Sequence, residues 1–326
     1  MDKAPRWSDL GAHFADADLA REMLERMRWP NGAACPRCGR CDPYKITPSG
    51  KSTKARTTRK GLYKCRACRK QFTVTVGTVF EDTHIPMNKW LQAIYLLCSS
   101  KKGISAHQLH RMLGITYKSA WFMAHRLRYA MTQTPLVEKL GGIVEADECY
   151  IGGRIKPPNN SGGKKGPKYE NKIAVVALVE RGGRVRAMPM PKVTAENVHA
   201  YIADHVRQDA HLMTDESPLY PGIGKHMAAH DSVKHSNKEY VRGKAHTNTV
   251  EGFFSLLKRG ITGIYHHVGK GHVGRYVDEF SFRYDHRKVT DGERANFAVL
   301  GAEGKRLTYT QPAGLGAGTT RRLEER

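Results

Sequence analysis

The sequence predicts a multi-domain chain made of a small cysteine-rich ribbon, a helical region and an α/β domain built on a sheet. Three observations predict it. Two Cys-x-x-Cys pairs bracket a stretch from Ala34 to Lys70 that is scattered with Pro, Gly, Ser and Thr. Residues 87–131 carry apolar side chains at helical spacing. Beyond Pro135 the pattern turns to strand-length apolar and alternating runs, followed by further helices. At 326 residues the chain has room for two domains, or three if one is small.

The elements follow in order. Leu19, Met23 and Met27 recur every four residues between Asp16 and Met27, which predicts a short amphipathic helix that stops before Pro30. Residues 1–33 are therefore an N-terminal helical segment, and 34–82 form the ribbon. In the next region, 83–134, NKWLQAIYLLCSSKK, ISAHQLHRMLG and TYKSAWFMAHRLRYAM read as three helices. The short turn Gly114 to Thr116 suits a helix-turn-helix whose second helix runs from Tyr117 to Tyr129; a helical spacer is the plainer alternative.

Residues 135–300 make the α/β domain. GIVEADECYIGG is one strand, and KIAVVALVERGGRVRAMPMPKV is a hairpin turning at Gly182 and Gly183. A Gly, Pro, Asn and Lys loop lies between them. A helix from Ala195 to Arg207, a strand from His211 to Glu216, another near HMAAHDSV and a helix from about Asn248 complete the order β, β, β, α, β with helices after. Residues 301–326 end in a polar, Gly-rich stretch without periodicity, read as a loose tail.

Composition narrows the function. Lysine and arginine number 54 against 31 acids, a net charge of +23, which calls for a polyanionic partner, with nucleic acid foremost. The longest apolar stretch, Ile173 to Val179, has seven residues, against about 20 for a membrane-spanning helix. No basic start followed by an apolar run opens the chain, so a cytosolic protein is expected. Cysteines in that compartment are metal ligands or buried thiols rather than disulfides.

Cys35-Pro-Arg-Cys38 and Cys65-Arg-Ala-Cys68 stand 26 residues apart, and each pair forms a knuckle whose two thiolates reach one ion. Four thiolates closing a tetrahedron suit one structural Zn²⁺. Cys41 is a spare that could replace Cys38. Cys98 and Cys149 sit in apolar settings and are expected to be buried. Twelve Lys or Arg against one acid, Asp42, between Ala34 and Lys70 would contact phosphates or form a solvated face.

Acids stand where a buried strand should be apolar. Glu145, Asp147 and Glu148 lie in one strand, and carboxylates there are costly unless they hold a cation. Alternation puts Glu145 and Asp147 on one face and Glu148 on the other, so periodicity does not choose the ligand. Asp215 and Glu216 end a later strand. In HTNTVEGFFSLLKRG, Glu251 and Lys258 are seven residues apart and share a helix face opposite Phe253, Phe254, Leu256 and Leu257. Hard oxygen ligands without His or Cys suit two Mg²⁺ or Mn²⁺ ions, which activate water or a 3′-hydroxyl for attack on a phosphodiester. Exposed acids on a solvated helix are the alternative.

The strings VEADECYIGGR, TDESPLY and HTNTVEGFFSLLKRGITGIYHHVGKGHVGRYVDEFSFRYDHR, behind the CPRC and CRAC ribbon, resemble the ISXO2-like insertion-sequence transposases. The likeness spans Arg21 to Asn296. It implies a DDE transposase with an RNase H-like catalytic domain and Asp147, Asp215 and Glu251 as the metal-binding triad. The 35 residues between Asp215 and Glu251, with Lys258 beyond, match that pattern. Some relatives have Asn at the third acidic place, so Asn248 is either a neighbouring ligand or a phosphate contact. Lys258, Asn248 and Arg259 are expected DNA contacts; so are Arg283 and Arg287, which with Glu279 also fit an intrahelical ion-pair face. His226 and His230, four apart, are read as strand or loop rather than a helical zinc pair.

The expected activity is binding of terminal inverted repeats, cleavage at the element ends and joining of 3′-hydroxyls to target double-stranded DNA. A homo-oligomer on DNA, associated with the nucleoid in the cytoplasm and without membrane contact, is the assembly the resemblance implies. A nuclease or resolvase of the same fold that never joins is one rival, and a non-enzymatic DNA-binding regulator is another.

Overall fold

A computed structural model describes residues 11–46, 60–132, 138–152, 172–237 and 239–309. The expected loop before the second strand lies almost wholly outside them, as does the tail beyond Tyr309. The chain divides into two compact units, residues 1–131 with 289–309 and residues 132–288 with 310–326.

In the first unit, α1 (Gly11–Ala15) precedes α2 (Ala17–Arg28). The Asp16 carboxylate caps α2 by accepting from the amides of Asp18 and Leu19. Strands β1 (Tyr44–Lys45), β2 (Tyr63–Lys64) and β3 (Gln71–Phe72) form an antiparallel sheet in that order. Trp29, Tyr63 and Phe72 pack against Cys35 and Cys65, a small aromatic core in place of the larger one that two-residue strands cannot make. Three helices follow, α3 (Met87–Ser99), α4 (Ala106–Leu113) and α5 (Tyr117–Ala130). Gly114 ends α4 in the left-handed region, and the Thr116 hydroxyl caps α5, so the three-residue turn seen in the sequence forms.

The second unit is a five-stranded mixed sheet. Its strands are β4 (Ile143–Gly152), β5 (Lys172–Glu180), β6 (Val185–Met190), β7 (His211–Thr214) and β8 (Ala229–Ser232), in the order β6-β5-β4-β7-β8. β4, β5 and β6 are antiparallel neighbours, whereas β7 is parallel to β4 and β8 to β7. The parallel step needs a crossover, which α6 (Ala195–His205) supplies. A short helix, α7 (Pro221–Gly224), precedes β8. The helices α8 (Asn248–Gly260) and α9 (Val273–Asp285) follow it.

Alternation along β4 and β5 sorts the core into two layers. Val144, Ala146, Val176 and Leu178 pack with Val198, Tyr201 and Ile202 of α6. Cys149, Ile151, Val175, Ala177 and Val179 face Val250, Phe253, Phe254 and Leu257 of α8 and the apolar side of α9. With both faces covered, β5 can be apolar throughout, as its sequence is.

The last helix, α10 (Asp291–Leu300), opens with a Thr290–Glu293 capping box and packs on α3, where Arg294 donates to the Cys98 carbonyl at 2.8 Å. The sequence placed this helix in the α/β domain; its buried Ala295, Ala298 and Val299 join the first unit instead. The helix expected to end at Arg207 stops at His205, and the strand expected to reach Glu216 stops at Thr214. No helix among the described residues is long and apolar enough to cross a membrane.

Candidate metal centres

The two cysteine knuckles fold alike. The amides of Cys35 and Cys65 donate to the carbonyls of Arg40 and Lys70, five residues on in each case. Gly39 and Arg69, each directly after a second cysteine, both take positive φ, 73° and 57°. Sulfurs of Cys35, Cys38, Cys65 and Cys68 all lie within 4.8 Å of one another. Cys35 to Cys68 is 3.7 Å and Cys38 to Cys65 is 3.5 Å. A tetrahedron of zinc–sulfur bonds of about 2.3 Å has edges of about 3.8 Å, so the four thiols fit one Zn²⁺. Cys41 stands outside the cluster, exposed, with its thiol directed to the Gly39 carbonyl. Cys98 and Cys149 are buried.

The acids of the second unit are set by strand register. β4 and β7 pair in parallel, Glu145 opposite Met213. Two residues further along each chain stand Asp147, within β4, and Asp215, just past the end of β7. By alternation along β4, Asp147 is on the sheet face that α8 covers, the face of Cys149 and Ile151. Burial, and then the nearby carboxylates of Asp215, Glu148 and Glu251, push the Asp147 carboxyl up to about 7. The Asp215 carboxylate also accepts from the Ser217 amide at 3.0 Å, a turn that carries the chain off the sheet. Glu251 stands in the first turn of α8. Among the described residues, the cysteines are the sole group of three or more ligands with atoms all within 4.8 Å; the acids are electrostatic neighbours at longer range.

The other two acids of β4 are engaged elsewhere. Glu148 faces away from α8 and accepts the Tyr220 hydroxyl at 2.7 Å, with its own carboxyl raised chiefly by burial. Glu145 is fully buried. One of its oxygens accepts from the amides of Thr249 and Val250 at 2.7 and 3.0 Å, and the other from the Thr249 hydroxyl and Arg181 at 2.8 and 2.6 Å. Those two amides are the ones an N-cap side chain would satisfy; Thr247 makes no such bond, and its hydroxyl donates to Glu251 at 2.8 Å. Glu145 therefore caps α8 from the sheet, and Arg181 extends the clamp to the carbonyls of Lys244 and His246. Sequence reasoning missed this role of Glu145, and those of Arg181, Thr247 and Tyr220, because each partner is distant in sequence or unremarkable in type.

The expected DNA contacts divide. Asn248, Lys258 and Arg259 are exposed on α8. Lys258 borders a cavity of about 240 Å³ with Tyr150, Thr262, His266 and His267, next to a π-helical turn at Ile261–Tyr265. Arg283 is buried and forms the intrahelical pair with Glu279 at 2.5 Å, the alternative its spacing allowed. Arg287 stacks on Tyr284 and donates to the Gly183 carbonyl. His230 lies in β8 beside the Thr214 hydroxyl and His226 in the turn before it, so the pair is not helical.

Fold and sites define a class: a Cys₄ ribbon protein with a second, mixed α/β unit whose central strand is acidic. More particularly, residues 139–285 match the ISXO2-like transposase domain and residues 16–71 the transposase zinc-ribbon domain. The chain belongs to the ISXO2-like transposases. An "Uncharacterized protein in transposable element ISH50" of Halobacterium salinarum is 28% identical over 287 residues, 83% of this chain and 91% of that protein. A solved Mos1 transposase paired-end complex with left transposon end covers 65% of this chain and 74% of its own at 11% identity and a TM-score of 0.27. A pre-cleavage Mos1 transpososome covers 67% and 79% at 14% identity and a TM-score of 0.23. Likenesses this slight define neither fold nor site.

Proposed function

We propose that this chain is a DDE transposase that binds the terminal inverted repeats of an insertion sequence, cleaves DNA at the element ends and joins the 3′-hydroxyls to target DNA. The observation that carries the reading is the placement of three acids by the fold: Asp147 within the central strand β4, Asp215 just past the end of its parallel neighbour β7, and Glu251 in the first turn of α8, which packs on β4. Antiparallel β4 to β6 with β7 and β8 parallel beside β4 supports an RNase H-like domain.

Asp147, Asp215 and Glu251 would hold two Mg²⁺ or Mn²⁺ ions. Ions so held lower the pKa of an attacking water or 3′-hydroxyl and stabilise the leaving oxygen of an in-line displacement. The protein's own part is to fix three carboxylates on a strand, a strand end and a capped helix, and to offer cations to the DNA. Lys258, two turns or about 10 Å along α8 from Glu251, would meet a backbone phosphate, and Asn248 and Arg259 would contact the same strand. The ribbon, holding one Zn²⁺, and the α4–α5 helix-turn-helix supply further DNA contacts. Two ends must be brought together, so a homo-oligomer assembles on DNA, at the nucleoid in the cytoplasm.

The test is a joining assay with Mg²⁺, pre-cleaved 3′-ends of the element and a target plasmid. Joined product is expected, and Asp147→Asn or Asp215→Asn abolishes it while binding to the terminal repeats survives. Metal-dependent nicking without joining would instead identify a nuclease or resolvase, and binding with neither would identify a regulator.

A further inference from the structure

The turn after β8 brings a histidine to the third acid. His235 opens the 3₁₀ turn His235–Asn237, and its Nε2 lies 3.7 Å from Oε1 of Glu251. That nitrogen is buried and makes no hydrogen bond among the described residues. Oε1 is also the oxygen that accepts the Thr247 hydroxyl, at 2.8 Å. A second donor therefore stands beside an oxygen already engaged by a first.

The turn is itself held in place. The amide and hydroxyl of Ser236 donate to Glu216 at 3.0 and 2.7 Å. Val233, at the end of β8, donates to the Thr214 carbonyl at 3.1 Å. The Tyr240 ring centroid lies 5.4 Å from that of the imidazole. Because Glu216 directly follows Asp215, one tether runs from the segment of the second acid, through this turn, to the helix of the third. A freely rotating glutamate would have to lose rotamer entropy on meeting an ion; one fixed beforehand loses less.

We infer that His235 is a positioning residue for the third carboxylate: its Nε2, 3.7 Å from Oε1 of Glu251, restrains with the Thr247 hydroxyl the side of the carboxylate on which Oε1 lies, so that Oε2 would be the oxygen left for a metal ion. The inference rests on the proposed metal-binding role of these three acids. His235 acts through Glu251 and touches neither ion nor DNA.

The experiment is a Mn²⁺ titration of the full-length, zinc-loaded chain, followed by loss of the free-ion electron paramagnetic resonance signal, with a thermal melt of each variant. His235→Phe keeps a ring against Tyr240 but has no donor, and it is expected to weaken Mn²⁺ binding about 10- to 100-fold. His235→Gln keeps an N–H near the same place and is expected to bind close to wild type. Binding by His235→Phe indistinguishable from wild type, or equal weakening in both variants, would overturn the inference. Asp147→Asn is the control. If it binds Mn²⁺ as the wild type does, the acid site itself is wrong; if it loses binding while His235→Phe does not, only the role of His235 falls.

Discussion

At the scale of single residues, the decisive group is a carboxyl that the fold makes uncomfortable. Asp147 is held at about 7, against an ordinary 3.8, first by burial and then by its acidic neighbours. In the folded chain without divalent ions its charged form is disfavoured, so ionisation costs stability as pH rises from about 4 through 7 and the cost is complete above that. Asp147→Asn removes the charge. With zinc retained and Mg²⁺ and Mn²⁺ removed, the variant is expected to be more stable than wild type by on the order of 1–2 kcal/mol at pH 8, the difference fading as pH falls towards 4. Melting curves at several pH values measure it. A variant less stable than wild type at pH 8 would contradict the strained-carboxyl account. The sequence showed acids in a strand that should have been apolar. It could not say which of Glu145, Asp147 and Glu148 faces the site, because alternation leaves Glu145 and Asp147 on the same side and only their partners separate them.

At the scale of elements, α8 depends on the sheet. Its apolar stripe of Val250, Phe253, Phe254 and Leu257 was legible from spacing, and so was the shared side of Glu251 and Lys258. Its cap was not. Thr247 occupies the N-cap position but makes no side-chain cap, and the acceptor for the helix amides comes from Glu145, about a hundred residues earlier in the chain. Local patterns cannot reveal a cap supplied from another element. Glu145→Ala would leave two helix amides without their acceptor and Arg181 without its carboxylate partner, and it is expected to cost about 3 kcal/mol of stability. Glu145→Gln is expected to restore only part, since its amide nitrogen must face donors. Denaturant unfolding of the two variants tests this, and a loss below about 1 kcal/mol in Glu145→Ala would show that the clamp is incidental. The ribbon is the opposite case. Its two knuckles repeat one sequence pattern, so the four ligands could be read directly, and the structure sets aside only the spare, Cys41.

At the scale of the molecule, the sequence conveyed the succession of ribbon, helices and sheet but misplaced one seam. α10 follows α9 after a short connection, which reads as continuation of the same domain, yet its Arg294 and its buried alanines belong with α3. Packing partners distant in sequence decide that boundary, and periodicity carries no record of them. The net charge of +23 fits a protein that works on a polyanion, and the family membership agrees. What joins these scales is the claim that side chains from β4, the end of β7 and the first turn of α8 form one divalent-ion site. Anomalous diffraction at the manganese edge, from crystals of the full chain grown with Mn²⁺, tests it most directly. The expected result is a peak within coordination distance of Asp147 and Asp215, with Glu251 drawn toward it. Manganese bound only elsewhere on the molecule, in crystals of protein that still joins DNA ends, would contradict it.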